Sequence, residues 1–219
     1  AVESIAVDEK GGVAKISIVK VLPSVRGGMA AVYTVFPTGE VAVEVAFDFG
    51  ATPAFACPPL RVGMVWQVNP ELDQLRWYGR RGETYLDRNY EPIGLYTGSV
   101  DDQWVDYPRP QENGNKTDVR WAALTDAKGH GLFIAAEGSP LGVGARFYST
   151  ETMRRSKYSF EMQRSDAIHL NIDAGQSGVG GINSWSAAPL EEHRLNEKVY
   201  EYAYRLIPFE GHVEKALAN

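Results

Sequence analysis

The chain has little of the chemistry that identifies many protein classes from sequence alone. It contains one cysteine, Cys57, among 219 residues, which excludes an internal disulfide framework. No segment approaches the roughly 18 consecutive apolar residues that a membrane-spanning helix needs. The net charge is −6 and no basic cluster stands out, which argues against binding to nucleic acid. We therefore expect neither a membrane nor a nucleic acid as a partner.

Self-contained catalytic and metal-binding motifs are also missing. The four histidines lie far apart and lack cysteine partners at metal-ligand spacing. The glycines of 178–181 do not follow a strand and open a helix, as a nucleotide-binding loop requires. No Gly-x-Ser-x-Gly elbow marks a serine nucleophile. Glycoside hydrolysis needs two carboxylates held across a sugar. Adjacent residues of a strand point to opposite faces, and spacing within a loop does not constrain where side chains lie. The acidic groups are therefore interpreted as solvated or ion-paired surface features: Glu191-Glu192, Asp101-Asp102, and Glu83 with Asp87.

What the sequence does contain is alternation of apolar and polar residues. Residues 41–49, VAVEVAFDF, follow 29–36 and a Pro-Thr-Gly-Glu turn, a pattern that predicts a β-hairpin. Residues 117–125 and 131–137 predict a second hairpin. Other strands are predicted at 15–23, 60–68, 75–78, 141–148, 167–172 and 198–208. A short helix is possible within 149–163, and 79–96 is expected to be irregular and rich in ion pairs.

About ten to twelve amphipathic strands with almost no helix predict an all-β protein. Strands with one apolar face favour antiparallel sheets that pack as a large sandwich. We expect a single β-sandwich domain over 1–209 and a polar C-terminal tail at 210–219. The chain starts at Ala1 without a targeting segment, which suggests a fragment of a longer protein, with a processed mature chain as the alternative.

One stretch, 173–189, differs from the strands around it. Its sequence, DAGQSGVGGINSWSAAP, holds four glycines, three serines and Trp185. Glycines let the backbone turn where other residues would be strained. The indole of Trp185 either folds back onto the core or is held out as a flat surface on which a sugar can stack. Trp104 is ambiguous, and the remaining tryptophans are expected in the core because they lie in predicted strands: Trp66, Trp77 and Trp121.

His169 is the one histidine placed within a strand. It has the opposite phase to Ile168, Leu170 and Ile172, and is therefore expected on a solvated face. If that face lined a concave sugar site, His169 could act as an acid or base.

Four segments together resemble the C-terminal domain of the large family-two β-galactosidases. They are 75–88 (LRWYGRRGETYLDR), 107–121 with its PQENGN run, 170–186 (LNIDAGQSGVGGINSWS) and 199–206. Their order and separations match the family, so the resemblance covers about 10–208. It implies a galactose mutarotase-like β-supersandwich, which agrees with the strand count.

The resemblance also implies a function for a larger parent protein. The parent would hydrolyse terminal β-D-galactosides such as lactose with retention, using glutamates on a (β/α)₈ barrel that this chain lacks. In the family, the tryptophan of a Gly-Gly-x-x-Ser-Trp loop stacks on sugar in the leaving-group subsite. Trp185 matches that tryptophan, and its supporting loop is Gly180, Gly181, Asn183 and Ser184. Ile182-Asn183 replaces two acidic residues of some relatives, and 79–85 lacks the family's second glycine and its proline.

Further expectations follow from the same resemblance. The partners would be a galactoside or glucose, the catalytic barrel domain, and other copies of the parent in a homo-oligomer. No cofactor is expected in this domain, whereas the parent typically holds Mg²⁺ and Na⁺ at sites on the barrel side. The isolated chain is expected to be inactive, and both a cytoplasmic and a periplasmic location remain open.

Three other readings of the chain remain open. It could be a freestanding carbohydrate-binding module with the same fold. It could be an aldose mutarotase-like epimerase, which would need a histidine and a carboxylate on one concave face, or it could act only by packing against the barrel or a neighbouring subunit.

Overall fold

The structure, a computed structural model of the chain, describes residues 1–50, 59–180 and 188–213. Over these residues the chain forms thirteen strands and one short α-helix, α1 (Thr150–Arg155). The strands are β1 (Val2–Lys10), β2 (Val13–Leu22), β3 (Gly27–Val35), β4 (Val41–Asp48), β5 (Arg61–Val68), β6 (Gln74–Arg80), β7 (Ile93–Ser99), β8 (Lys116–Val119), β9 (Trp121–Thr125), β10 (His130–Glu137), β11 (Leu141–Arg146), β12 (Ile168–Gln176) and β13 (Val199–Glu210). None of the helices in the described ranges is long and apolar enough to cross a membrane.

The strands form two antiparallel sheets. The larger sheet has nine strands in the order β1-β2-β3-β4-β13-β10-β9-β6-β7, and the smaller has four in the order β5-β12-β11-β8. The polypeptide crosses between the sheets several times, since β5, β8, β11 and β12 alternate along the chain with strands of the larger sheet. The predicted all-β antiparallel sandwich is confirmed.

The β3–β4 hairpin shows how the local sequence determines this architecture. Val35 pairs with Val41 across the turn, where Gly39 adopts a φ of +86° and the Phe36 N–H donates to the carbonyl oxygen of Glu40 at 2.9 Å. Val43 and Val45 face the interior, whereas Glu44 between them is exposed. Alternation thus sets both the strand and the face that it buries.

The core lies between the two sheets. From the smaller sheet, Ile168, Leu170 and Ile172 of β12 contribute fully buried side chains. They pack in one hydrophobic cluster with residues of the larger sheet such as Leu75 and Tyr204. Burying one such aliphatic side chain contributes roughly 1.5–3 kcal/mol, so these alternating positions hold the sheets together.

The opposite face of β12 is covered as well, and here the prediction for His169 was wrong. His169 has only 8% of its surface exposed, although its phase opposite to Ile168 is as predicted. β12 lies between β5 and β11, and Glu112 bonds to Arg61 of β5 and to Arg146 of β11. The segment that carries Glu112 therefore crosses over this face and removes it from solvent.

Candidate functional site

The glycine-rich stretch begins where β12 ends, and its first residues are held by backbone hydrogen bonds. The Ser177 N–H donates to the carbonyl oxygen of Leu60 at 2.8 Å. The Gly178 N–H donates to the carbonyl oxygen of His193, also at 2.8 Å, and the Ser177 hydroxyl reaches the same oxygen at 3.2 Å. The chain entering the stretch is thus tied to the chain that returns from it.

The next two residues are held by a single carboxylate. Asp87 accepts a hydrogen bond from the Val179 N–H at 3.0 Å through Oδ1 and from the Gly180 N–H at 2.7 Å through Oδ2. Arg88 Nη2 donates to the carbonyl oxygen of Gly180 at 3.0 Å. Bonds to ionised side chains are stronger than those between neutral groups, so the backbone of 179–180 is held firmly. We call Asp87, Arg88 and the backbone of 178–180 the loop clamp.

Glycine is required at two positions of the loop clamp, for different reasons. A Cβ atom on Gly178 would lie 2.6 Å from Cγ of Asp87, closer than real Cβ contacts come. Gly180 has a φ of +71°, a conformation that L-residues with a side chain rarely adopt. The glycines therefore let the carboxylate approach the backbone and let the chain turn beside it.

The segment that presents Asp87 is itself rigid. Tyr85 and Arg88 exchange two backbone hydrogen bonds, at 3.1 and 3.0 Å. The Tyr85 hydroxyl donates to Glu83 at 2.6 Å, and burial, with this bond, raises the pKa of that hydroxyl. Thr84 is fully buried and its N–H donates to the carbonyl oxygen of Asn115 at 2.8 Å. The expected ion-pair and hydrogen-bond network of 79–96 is confirmed.

Among the residues predicted from the sequence for the site, the structure describes Gly180. Gly181, Asn183, Ser184 and Trp185 lie outside the described residues, so the stacking role of Trp185 stays a prediction. Sequence analysis assigned Asp87 and Arg88 to a structural network and did not connect them to the glycines. The connection spans 93 residues between Asp87 and Gly180, and no local pattern could reveal it.

The other four tryptophans are packed against the protein. Trp77 and Trp121 are 3% and 9% exposed, as predicted for core residues. Trp66 packs against the core and donates from Nε1 to the Tyr204 hydroxyl at 2.8 Å. Trp104, which was ambiguous, contacts the ring of Tyr148 with 4.7 Å between ring centroids.

A second polar group, unrecognised in the sequence, lies on the covered face of the smaller sheet. Arg61 Nε lies 2.9 Å from Asp173 Oδ2, and Arg61 Nη2 donates to Glu112 at 2.9 Å and to Gln176 at 2.6 Å. Arg146 also forms an ion pair with Glu112. Burial raises the pKa of Asp173 to about 7, although Arg61 acts in the opposite direction. We call Arg61, Glu112, Arg146 and Asp173 the buried ion network.

His169 and Asn171 lie on the same covered face as Asp173. The pKa of His169 is lowered, first by burial and then by the positive charge of Arg146. His169 Nε2 and both side-chain amide atoms of Asn171 are buried without a hydrogen-bond partner among the residues that the structure describes. The alternation of His169, Asn171 and Asp173 in the sequence indicated that the three side chains share one face of β12. It did not show that another segment covers this face and buries them.

The acidic pairs noted in the sequence make structural contacts or face solvent. Asp101 forms a two-pronged ion pair with Arg164 at 2.6 and 2.9 Å, and Asp102 accepts from the Ser99 N–H at 3.0 Å. Glu191 and Glu192 are exposed. Within the described residues, no three or more histidine, cysteine, aspartate or glutamate side chains form a group that could hold a metal ion.

Comparison with known proteins places these observations in a family. A family model described as beta galactosidase small chain matches residues 2–206. The chain is 36% identical over 159 residues to a beta-galactosidase of Priestia megaterium. The alignment covers 71% of this chain and 15% of that protein. It is 35% identical over 170 residues to a beta-galactosidase of Lactobacillus delbrueckii subsp. bulgaricus, covering 74% and 16%. The chain thus spans less than a fifth of the length of these relatives.

One solved structure aligns with most of the chain. The GalM/aldose epimerase homologue from C. elegans aligns with 95% of this chain and 69% of its own, with a TM-score of 0.48 and 8% sequence identity.

Proposed function

Because the chain belongs to the β-galactosidase small chain family, we propose that it is the C-terminal domain of a retaining β-galactosidase. The match of the family model over residues 2–206 carries the proposal. The parent protein would hydrolyse terminal β-D-galactosides such as lactose. In a retaining glycosidase one carboxylate attacks the sugar and a second carboxylic acid protonates the leaving group, after which water releases the glycosyl-enzyme intermediate. Both glutamates would lie on a (β/α)₈ barrel in the part of the parent outside this chain.

This domain would contribute to sugar binding, through Trp185. An indole can stack on the apolar C–H face of a pyranose while neighbouring polar groups bond its hydroxyls. The stem of the loop supports this role, because the loop clamp holds 178–180 immediately before the segment that carries Trp185. Stacking at the leaving-group subsite would act on the affinity for lactose and glucose, with little effect on the groups that break the bond.

The test uses the full-length parent protein. Trp185→Ala should weaken the binding of glucose as an acceptor by roughly tenfold, the size of a lost aromatic contact of about 1–1.5 kcal/mol. Trp185→Phe, which keeps a flat ring, should restore most of this affinity. Inhibition by galactose, which would occupy the barrel-side subsite, serves as the internal control and should not change. Glucose affinity unchanged in Trp185→Ala would rule out the stacking role.

The alternative functions have less support among the described residues. A groove of about 520 Å³ crosses the larger sheet over β3, β4 and β13. The aromatic residue that lines it, Tyr202, is only 9% exposed and offers no open ring face for a sugar. A freestanding carbohydrate-binding module would have to bind galactose, glucose or lactose without the barrel, which titration of the isolated chain would detect. An epimerase would need His169 accessible to substrate, whereas this side chain is buried.

A further inference from the structure

We propose that the covered face of the smaller sheet binds at least one ordered water molecule between the side chains of Asn171 and Asn115. Both side chains are buried, and each has a polar atom without a hydrogen-bond partner among the residues that the structure describes. The ligand is neutral water, which donates and accepts hydrogen bonds at the same time. This water would join β12 to the segment that covers it, whatever the function of the domain.

Asn171 is the side chain that most requires a partner. It is 0% exposed, and neither Oδ1 nor Nδ2 bonds to another group in the described part of the chain. A flip of the amide would exchange these two atoms and leave both unpaired. Burying an amide without hydrogen bonds is costly, and nearly all buried polar groups bond either to protein or to an ordered water. Water is therefore the expected partner of Asn171.

Asn115 supplies an acceptor from the covering segment. Its side chain is 1% exposed, and Nδ2 donates to the carbonyl oxygen of Thr84 at 2.9 Å. This bond identifies Oδ1 as the acceptor that has no partner. The Thr84 N–H donates in turn to the carbonyl oxygen of Asn115 at 2.8 Å. The side chain of Asn115 is thus held at both ends of its residue, and Oδ1 keeps its position.

Two glycines of β11 provide the room between these side chains. Gly144 is paired with Asn171, and Gly142 with Asp173, so both glycines share the covered face. A Cβ on Gly144 would lie 4.0 Å from Cβ of Asn171 and 4.0 Å from Cα of Asn115. A Cβ on Gly142 would lie 3.6 Å from Oδ1 of Asn115. We call Asn115, Gly142, Gly144 and Asn171, which border one small volume, the polar slot.

The chemistry of the polar slot favours water over a metal ion. Its acceptors are two neutral amide oxygens, and Asn171 also offers N–H donors, which a cation cannot use. The positive charges of Arg61 and Arg146 lie on the same face and disfavour another cation. Calcium and magnesium ions take about six or more oxygen ligands. A buried water makes roughly three hydrogen bonds and needs only about two to four polar partners.

A high-resolution crystal structure of the 219-residue chain is the direct test. It should show a water oxygen at hydrogen-bond distance, about 2.7–3.2 Å, from the Asn171 amide and from Asn115 Oδ1. A polar slot without such density, or an Asn171 amide bonded directly to protein groups, would overturn the proposal. So would an ion with the short contacts of a metal site.

Two variants test the site in solution. Asn171→Leu removes both polar atoms and keeps a side chain of similar size. Gly144→Ala leaves every polar group in place, and its methyl group enters the polar slot without a contact closer than 4.0 Å. Oxygen-17 magnetic relaxation dispersion detects water molecules that stay bound while the protein tumbles. Each variant should lose about one such water relative to the unsubstituted chain.

Gly28→Ala is the matched control, because its added Cβ would have its nearest contact at 3.7 Å, on the larger sheet. It should retain all the long-lived water of the unsubstituted chain. Equal amounts of long-lived water in the unsubstituted chain and in Gly144→Ala would contradict a water in the polar slot. Gly144→Ala keeps this test decisive even where Asn171→Leu does not fold.

Salt dependence separates water from a monovalent cation. The midpoint of urea unfolding should be the same in sodium, potassium and choline chloride at equal ionic strength, because water fills the polar slot in all three. A ligand that binds only the folded chain raises its stability. A higher midpoint in sodium or potassium chloride, lost in Gly144→Ala, would therefore replace the proposed water with a cation.

Discussion

Replacing Asp173 with asparagine should abolish an unusual pH dependence of stability. Asp173 is fully buried, and burial raises its pKa from the ordinary 3.8 to about 7. The folded chain therefore binds a proton at pH values where the unfolded chain has already released it. The stability that this group supports is complete below about pH 4 and is lost as the pH rises through about 7. Most aspartates that form ion pairs show the opposite trend.

The magnitude follows from the two pKa values. Between them, each pH unit changes the free energy of unfolding by about 1.4 kcal/mol, so the rise from 3.8 to about 7 corresponds to a loss on the order of 4 kcal/mol. Asp173→Asn cannot ionise and should not show this loss. We compare the free energy of unfolding of Asp173→Asn with that of the unsubstituted chain. This difference should increase in favour of Asp173→Asn by roughly 4 kcal/mol between pH 4 and pH 8. A constant change in stability caused by the substitution itself would not alter this slope.

Other titrating groups near Asp173 are present in both chains, so their contributions to the pH dependence of stability cancel when the unsubstituted chain is compared with Asp173→Asn. The pKa of His169 is lowered by burial, so its titration makes the folded chain more stable as the pH rises. Both the unsubstituted chain and Asp173→Asn contain His169. Lys116, whose pKa is lowered to about 8 by burial, makes stability depend on pH only above that value. Arg61 and Arg146 remain charged throughout. The difference between the two chains therefore isolates Asp173.

The assay is urea unfolding of the 219-residue chain at half-unit steps from pH 4 to pH 8, followed by tryptophan fluorescence. The free energy of unfolding of each chain is extrapolated to water, and the difference is plotted against pH. A difference that stays flat across this range would show that the pairing with Arg61 offsets the cost of burial, and would refute the reasoning.

Two more predictions concern packing and activity. Gly63→Ala should destabilise the chain by about 3 kcal/mol or more, because its Cβ would lie 2.6 Å from Cα of Asp173. Gly28→Ala is the matched control, since the nearest atom to its Cβ would be 3.7 Å away. Urea unfolding should show that this control variant is close to neutral. The isolated chain should not hydrolyse a chromogenic galactoside, since the catalytic glutamates are proposed to lie elsewhere in the parent protein. Hydrolysis by the homogeneous chain, at a rate proportional to its concentration, would contradict the proposal that catalysis depends on residues outside this domain.

Local alternation was sufficient to predict most strands of the sandwich. The β3–β4 and β9–β10 hairpins were predicted, because each combines alternation with a turn that contains glycine. Two strands were missed. β1 (Val2–Lys10) is an exposed edge strand with no buried face to impose a pattern. In β7 (Ile93–Ser99) two glycines interrupt the alternation, and the segment was expected to be irregular.

The sequence identified the candidate site only in part. It singled out the glycines around Trp185 and, separately, the charged residues near Asp87. Their contact depends on how the segment 83–88 is held by Tyr85 and Thr84, and therefore on the packing of other parts of the chain. The sequence alone could not show that the two features belong to one structural unit.

What the sequence determined by itself is the all-β character, most strand positions and the family, because each depends on periodicity or on short motifs. The tertiary structure decided which polar side chains are buried and which backbone groups they hold. Asp173 alternates with Leu170 and Ile172 as a solvated residue would, yet the segment that carries Glu112 covers it and changes its pKa. Likewise Asp87 reaches Gly180 across 93 residues. Such contacts depend on how loops cross the finished sheets, which no local pattern encodes.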